Sequence, residues 1–198
     1  MKRLTHPLAR VSLGLGATAL LTLGMSLSAF AAADTGATIT GGTLSGGVLG
    51  FASFGAITLN GQQQTSTAAF TLTNVSDATG TGAGWNVSLT LTPLAEYNTT
   101  TLAYVTGGKV LTGSSIKVTT APVVSLVDST SSAASTITPV AATTALDTNS
   151  AVKLLSAAAN GGMGSYAFSN MTSTLTVPAN AYANTYKSDA TVSLNATP

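Results

Sequence analysis

Apolar residues along this chain recur mainly at every second position, and glycine, proline or asparagine interrupts the pattern at short intervals. From Trp85 to Leu94, the residues Trp85, Val87, Leu89 and Leu91 share one side, while Asn86, Ser88, Thr90 and Thr92 share the other. Period 2 with aromatic and β-branched residues predicts a strand with one buried face. Ala68 to Val75 predicts a second strand, and the nine residues Ser76 to Gly84 join the two as the loop of a hairpin. Phe54-Gly55-Ala56-Ile57-Thr58-Leu59 is strand-like and ends at the turn dipeptide Asn60-Gly61, ahead of a solvated Gln62-Gln63-Gln64 run.

Shorter strands are expected within Ala37 to Gly50, where the pairs Gly41-Gly42 and Gly46-Gly47 supply turns. Others are expected at Thr101 to Val105, Ser115 to Thr119, Val123 to Val127, Ser165 to Phe168, Thr172 to Val177 and Ala190 to Asn195. Ala151 to Ala158 fits a strand or a helical turn, and Pro178 ends the strand before it because proline cannot donate to a ladder. No segment sustains a 3.6-residue period with caps. The expected fold is all-β: an antiparallel β-sandwich, immunoglobulin-like in general architecture. Asp128 to Ser150 breaks the pattern, since 16 of its 23 residues are Ser, Thr or Ala. With few large apolar groups to offset its ordering entropy, it reads as a long, mobile, low-complexity loop.

The N-terminus has a different logic. Lys2, Arg3 and Arg10 precede an uncharged apolar run from Val11 to Phe30, and Ala29-Phe30-Ala31 supplies the small residues of a signal-peptidase site. Residues 1–31 are therefore expected to be a secretory signal peptide and residues 32–198 a single domain. Removing the signal takes three of the seven basic residues and the only histidine, His6. Four lysines against six carboxylates remain, a net charge of −2, with no arginine and no basic cluster. Nucleic-acid binding then lacks an electrostatic basis. No later apolar run approaches the ~20 residues of a membrane span. There is no cysteine, so an apolar core must carry stability.

Little in the mature chain supports catalysis. Without His, Cys or Arg, serine–histidine pairs, thiolates and arginine clamps are unavailable. A glycosidase-type carboxylate pair involving Glu96 would have to come from scattered acids that sit mainly in turn-like sequence. Asp77 and Asp128 lack calcium-loop spacing, and Gly80-x-Gly82-x-Gly84 is followed by a strand rather than the helix a phosphate loop needs. The chain is expected to be no enzyme and to need no cofactor or metal. Trp85 admits two readings. It is a core anchor, as its place on an inward-alternating strand favours, or a ring on which a sugar or peptide stem packs.

The order of several motifs resembles the WxL domain, a bacterial surface module that associates non-covalently with the cell wall. Phe54-Gly55-x-Ile57 with Asn60-Gly61 resembles that family's early strand. Asp77-x-x-Gly80-Thr81-Gly82-Ala83-Gly84-Trp85-x-Val87 resembles its tryptophan signature, and Leu154 to Gly164 its late alanine-to-glycine segment. Leu175-Thr176-Val177-Pro178, Tyr186, Thr191-Val192-Ser193-Leu194 and Ala196-Thr197-Pro198 resemble its closing elements. Thr79 stands where the family has arginine, Val87 where it has leucine, and Val192 where it has a second tryptophan. The resemblance implies wall-binding roles for Asp77, Gly80, Thr81, Gly82, Ala83, Gly84, Trp85, Val87, Tyr186, Val192 and Leu194. It implies peptidoglycan or another wall polymer as partner, possible contacts with other surface proteins, and a secreted, surface location. Without a sorting motif, covalent anchoring is not expected. The competing expectation is a structural subunit of a surface filament, coat or matrix, because low charge and many short strands suit edge-to-edge association.

Overall fold

The computed structural model describes residues 37–113 and 115–198; the expected signal over residues 1–31 lies outside them. The chain divides into Met1–Thr38 and Ile39–Pro198, and the fold is that of the second unit. Among the described residues, fifteen strands follow in order. They are β1 (Leu44–Gly46), β2 (Leu49–Phe51), β3 (Gln64–Leu72), β4 (Val75–Asp77), β5 (Trp85–Leu91), β6 (Ala95–Asn98), β7 (Ala103–Tyr104), β8 (Ile116–Thr120) and β9 (Val124–Leu126). After a 3-10 turn at Ala134–Thr136 come β10 (Ile137–Pro139), β11 (Val152–Ala157), β12 (Gly164–Phe168), β13 (Met171–Val177), β14 (Tyr186–Lys187) and β15 (Ala190–Asn195). All pairings are antiparallel.

Two of the sheets are halves of one layer. Their orders are β1-β4-β12-β9 and β2-β3-β13-β8, so each ribbon of the first half continues into the matching ribbon of the second. Register is preserved across the break. Leu44 faces Asp77 and Leu49 faces Leu72, five residues forward on one ribbon for five back on the other. The break at 47–48 and 73–74 is bridged by Gly47 N donating to Asn74 O and Thr73 N to Val48 O. The opposing layer has the order β10-β11-β5-β15, and a small third sheet, β14-β6-β7, lies beyond the C-terminal end of β5.

The bend gives the sandwich two cores. Along β5, Leu89 and Leu91 pack with Phe70, Val118, Met171 and Leu175 from one half of the bent layer. Trp85 and Val87, on the same side of β5, pack instead with Val75, Tyr166, Leu155 and Ala157 against the other half. Side chains two apart share a face, so one alternating strand serves both cores. The chain crosses between layers after β4, before β8, after β9, after β11 and before β15, which gives an all-β sandwich with connections between its sheets.

Three expectations are corrected. Residues 76–84 are not the loop of a hairpin: β4 runs through Asp77, and the neighbours of β5 are β11 and β15. Proximity in sequence suggested pairing, but the loop changes layer. Phe54 to Leu59 forms no strand; Phe54, Ile57 and Leu59 still pack on the larger core, half-buried, without a ladder. Residues 128–150 are not a featureless connection. They supply β10, and Ile137, Val140 and Leu146 are buried. Asp147, fully buried, accepts hydrogen bonds from Ser115 N (3.0 Å) and Ile116 N (3.1 Å), fastening the segment to the start of β8.

That anchoring is measurable. Leu146→Ala is expected to lower stability by about 2–5 kcal/mol in urea denaturation, as for other truncations of buried leucine. A loss under ~0.5 kcal/mol, as for exposed positions, would restore the mobile loop.

Candidate functional site

The strand β4 delivers Asp77 to the edge of the first layer, and residues 78–84 then climb to the second, where Trp85 begins β5. Gly80, Gly82 and Gly84 all have left-handed backbone (φ 68°, 65° and 79°), so the loop advances by alternating handedness. Space as well as φ fixes Gly84, because a Cβ there would run into the carbonyl oxygens of Ala157 and Ala158. The loop is held from both sides. Gly42 N donates to Ala78 O (2.7 Å) and Ala78 N to Thr43 O (3.2 Å), while Asn160 N donates to Gly82 O (2.7 Å).

Asp77 is 5% exposed, and a buried carboxylate needs donors. Its Oδ1 accepts from Thr79 N (3.0 Å) and Thr79 Oγ1 (2.6 Å). The hydroxyl ladder continues outward, with Thr79 Oγ1 3.1 Å from Thr81 Oγ1 and Ala83 N donating to Thr81 Oγ1 at 3.3 Å. Thr79 thus satisfies Asp77 locally by a hydroxyl and an amide.

Trp85 is fully buried. Its Nε1 donates to Gly162 O at 2.8 Å, and its ring lies 6.3 Å from that of Tyr166, tilted by 53°. Gly162 has φ 70°, and any Cβ there would lie 2.7 Å from Trp85 Nε1, so this seat requires glycine. Gly162 N in turn donates to Thr136 Oγ1 (3.1 Å), and the Tyr166 hydroxyl lies within hydrogen-bond reach of Ser132 O (2.8 Å) and Met163 O (2.9 Å). Burial pushes the Tyr166 phenol above its ordinary pKa.

Asp77, Gly80 to Gly84, Trp85, Val87, Val192 and Leu194 are therefore brought together. Leu194 lies opposite Val87 and Val192 opposite Leu89 on adjacent strands, and both touch the Trp85 core. Tyr186 is not part of this group. It sits on β14, packs against the larger core and donates its hydroxyl to Tyr182 O (3.0 Å). Trp85 and Val87 have no exposed surface, so the reading of Trp85 as a stacking platform is overturned; Gly80, Thr81 and Ala83 are the exposed members.

Sequence reasoning missed Thr136, Asn160 and Tyr166 as supports of the loop. Thr136 lay inside a stretch whose composition hid it, and the other two are joined to the loop only by chain folding. Chemically, the surface offers hydroxyls, backbone amides and the Asn160 side chain, with its one carboxylate already engaged. No group of three metal-binding side chains converges among the described residues.

A family model described as "WxL domain surface cell wall-binding" matches residues 52–198. Neither the curated proteins nor the solved structures give a match.

The seat of Trp85 makes a direct prediction. Trp85→Phe strands the buried Gly162 carbonyl and should cost at least about 1–3 kcal/mol in urea denaturation. Thr81→Ala on the exposed loop should cost less than ~0.5 kcal/mol. Equal effects at both positions would contradict this geometry.

Proposed function

The chain belongs to the WxL domain family of surface, cell-wall-binding domains, and from that premise we propose that it is exported by its N-terminal signal and associates non-covalently with peptidoglycan, without catalysis. The observation that carries the reading is the convergence of two separated segments, residues 77–85 and 157–164, on one surface held by the Trp85–Gly162 bond. Roles divide by burial. Gly80, Thr81 and Ala83 face outward and contact the polymer, with Asn160 beside them. Asp77, Gly84, Trp85, Val87, Val192 and Leu194 set the shape of that surface from within.

Such a surface suits a polymer rich in hydroxyls and amides, because its own exposed groups donate and accept without net charge. A loop already held by hydrogen bonds on both sides also reduces the ordering cost of binding.

Sedimentation of the purified protein with isolated bacterial walls tests this. The unmutated protein should pellet with walls and with walls stripped of secondary polymers. Ala83→Arg, at an exposed position, should reduce retention about tenfold, on the order of 1.4 kcal/mol, with an unchanged circular dichroism spectrum. Failure of the unmutated protein to pellet would overturn wall association. Loss only on stripped walls would replace peptidoglycan by a secondary polymer, and full retention of Ala83→Arg would remove the loop from the contact.

A further inference from the structure

An edge strand leaves alternate backbone groups without a partner, and a folded chain has to dispose of each such edge. In the bent layer, β8 is covered by residues 143–146. Val118 N donates to Thr144 O (2.9 Å), while Thr143 N and Leu146 N donate to Val118 O (2.7 Å) and Ile116 O (2.9 Å). The strands β1, β2 and β9 have three residues each, and β7 and β14 have two. Where β3 runs on beyond β2, residues 53–59 flank it, so that a Cβ on Gly55 would lie 3.4 Å from Ser66 Oγ. In the opposing layer, β10 has three residues and ends on Pro139, which has no N–H to offer.

The other edge of that layer, β15, is different. It has six residues, no charge, no proline and no shift of register against β5. Thr92 N donates to Asp189 O (3.0 Å), and along an antiparallel pair the residues that bond the neighbour alternate. Thr191, Ser193 and Asn195 therefore bond Thr90, Ser88 and Asn86, while Ala190, Val192 and Leu194 turn their N–H and C=O groups away from β5. Among the described residues, the backbones of these three have no hydrogen-bond partner. The side chains follow the same alternation. Val192 and Leu194 are half-buried against the core of Trp85, whereas Thr191, Ser193 and Asn195 are exposed. Asp189, one residue before the strand, is already engaged, since its Oδ1 accepts from the Tyr104 hydroxyl at 2.7 Å.

We propose that two copies of the chain meet at this edge, with β15 pairing antiparallel to β15 of the second copy and the two layers joining into one continuous sheet. Free amides must face free carbonyls, so even-numbered residues oppose even-numbered ones. A two-fold axis through Val192 keeps all three open positions within the strands: Val192 faces Val192 of the second copy, and Ala190 faces its Leu194. The inward side of the joint is then apolar, and the outward side sets Thr191 beside Ser193. An added strand needs this alternation of apolar inward and small polar outward residues, and β15 itself has it. Nothing charged is carried into the joint by either strand. With the remaining edges short or covered, such an isologous pair closes as a dimer and does not grow.

Sedimentation velocity of the purified protein, from about 1 μM to about 1 mM, should show a reversible monomer–dimer equilibrium with a Kd on the order of 100 μM or tighter. Amide hydrogen exchange followed by NMR at both ends of that range should slow about threefold or more at Val192 and Leu194 as the protein is concentrated. The Ser193 amide, which β5 already binds, should not change. Ser193→Lys, on the exposed side, brings like charges into diagonal reach across the joint. It should weaken the dimer about threefold or more at low salt, and mixing it with Ser193→Glu should restore pairing. Val192→Pro removes an edge N–H that β5 does not use, and should abolish the dimer with the β-type circular dichroism retained. If that variant loses its fold, the paired charge variants still decide. A monomer at every concentration, growth past the dimer, protection gained at other amides instead, or a dimer indifferent to Ser193→Lys would each overturn the inference.

Discussion

An indole placed wholly out of water must find an acceptor for its N–H, and Trp85 finds a backbone carbonyl. That acceptor, Gly162 O, belongs to a segment far away in sequence. Meeting this one requirement draws residues 157–164 against residues 77–85. It demands glycine at 162, where a side chain would strike the indole, and glycine at 84, where one would strike the carbonyls of Ala157 and Ala158. The loop surface is thus a by-product of how a core tryptophan is satisfied. At the loop's entrance, Asp77 accepts hydrogen bonds from the amide and hydroxyl of Thr79.

The bent layer explains why this pin sits beside, rather than within, the larger core. Its four ribbons keep one register through the break, so β5 can send Leu89 and Leu91 to one half and Trp85 and Val87 to the other. Thr136 and Tyr166 then close the smaller core from opposite layers.

Much of the strand content was legible in the sequence because period 2 is a local property. The alternation in Trp85 to Leu91 and in Thr172 to Val177 needs no knowledge of partners. Pairing was not legible. The short gap between β4 and β5 suggested a hairpin, yet both strands had better partners elsewhere. In residues 128–150, three apolar side chains and one carboxylate order a segment whose average composition predicts none of it. Ile137, Val140 and Leu146 enter two cores, and Asp147 accepts from the amides of Ser115 and Ile116 at the start of β8. The glycine-rich turn at Gly80 to Gly84 was legible in the sequence, whereas its supports at Thr43 and Asn160 meet it only after folding.

In the proposed function, Trp85 shapes the wall-facing surface from inside and never touches the polymer. Trp85 is the only tryptophan, so its fluorescence reports on that claim alone. Emission and acrylamide quenching should be measured for the free protein and again with saturating isolated walls. The account predicts blue-shifted emission and little quenching in both states, with no change on binding. A red-shifted, readily quenched tryptophan that becomes protected when walls are added would contradict it.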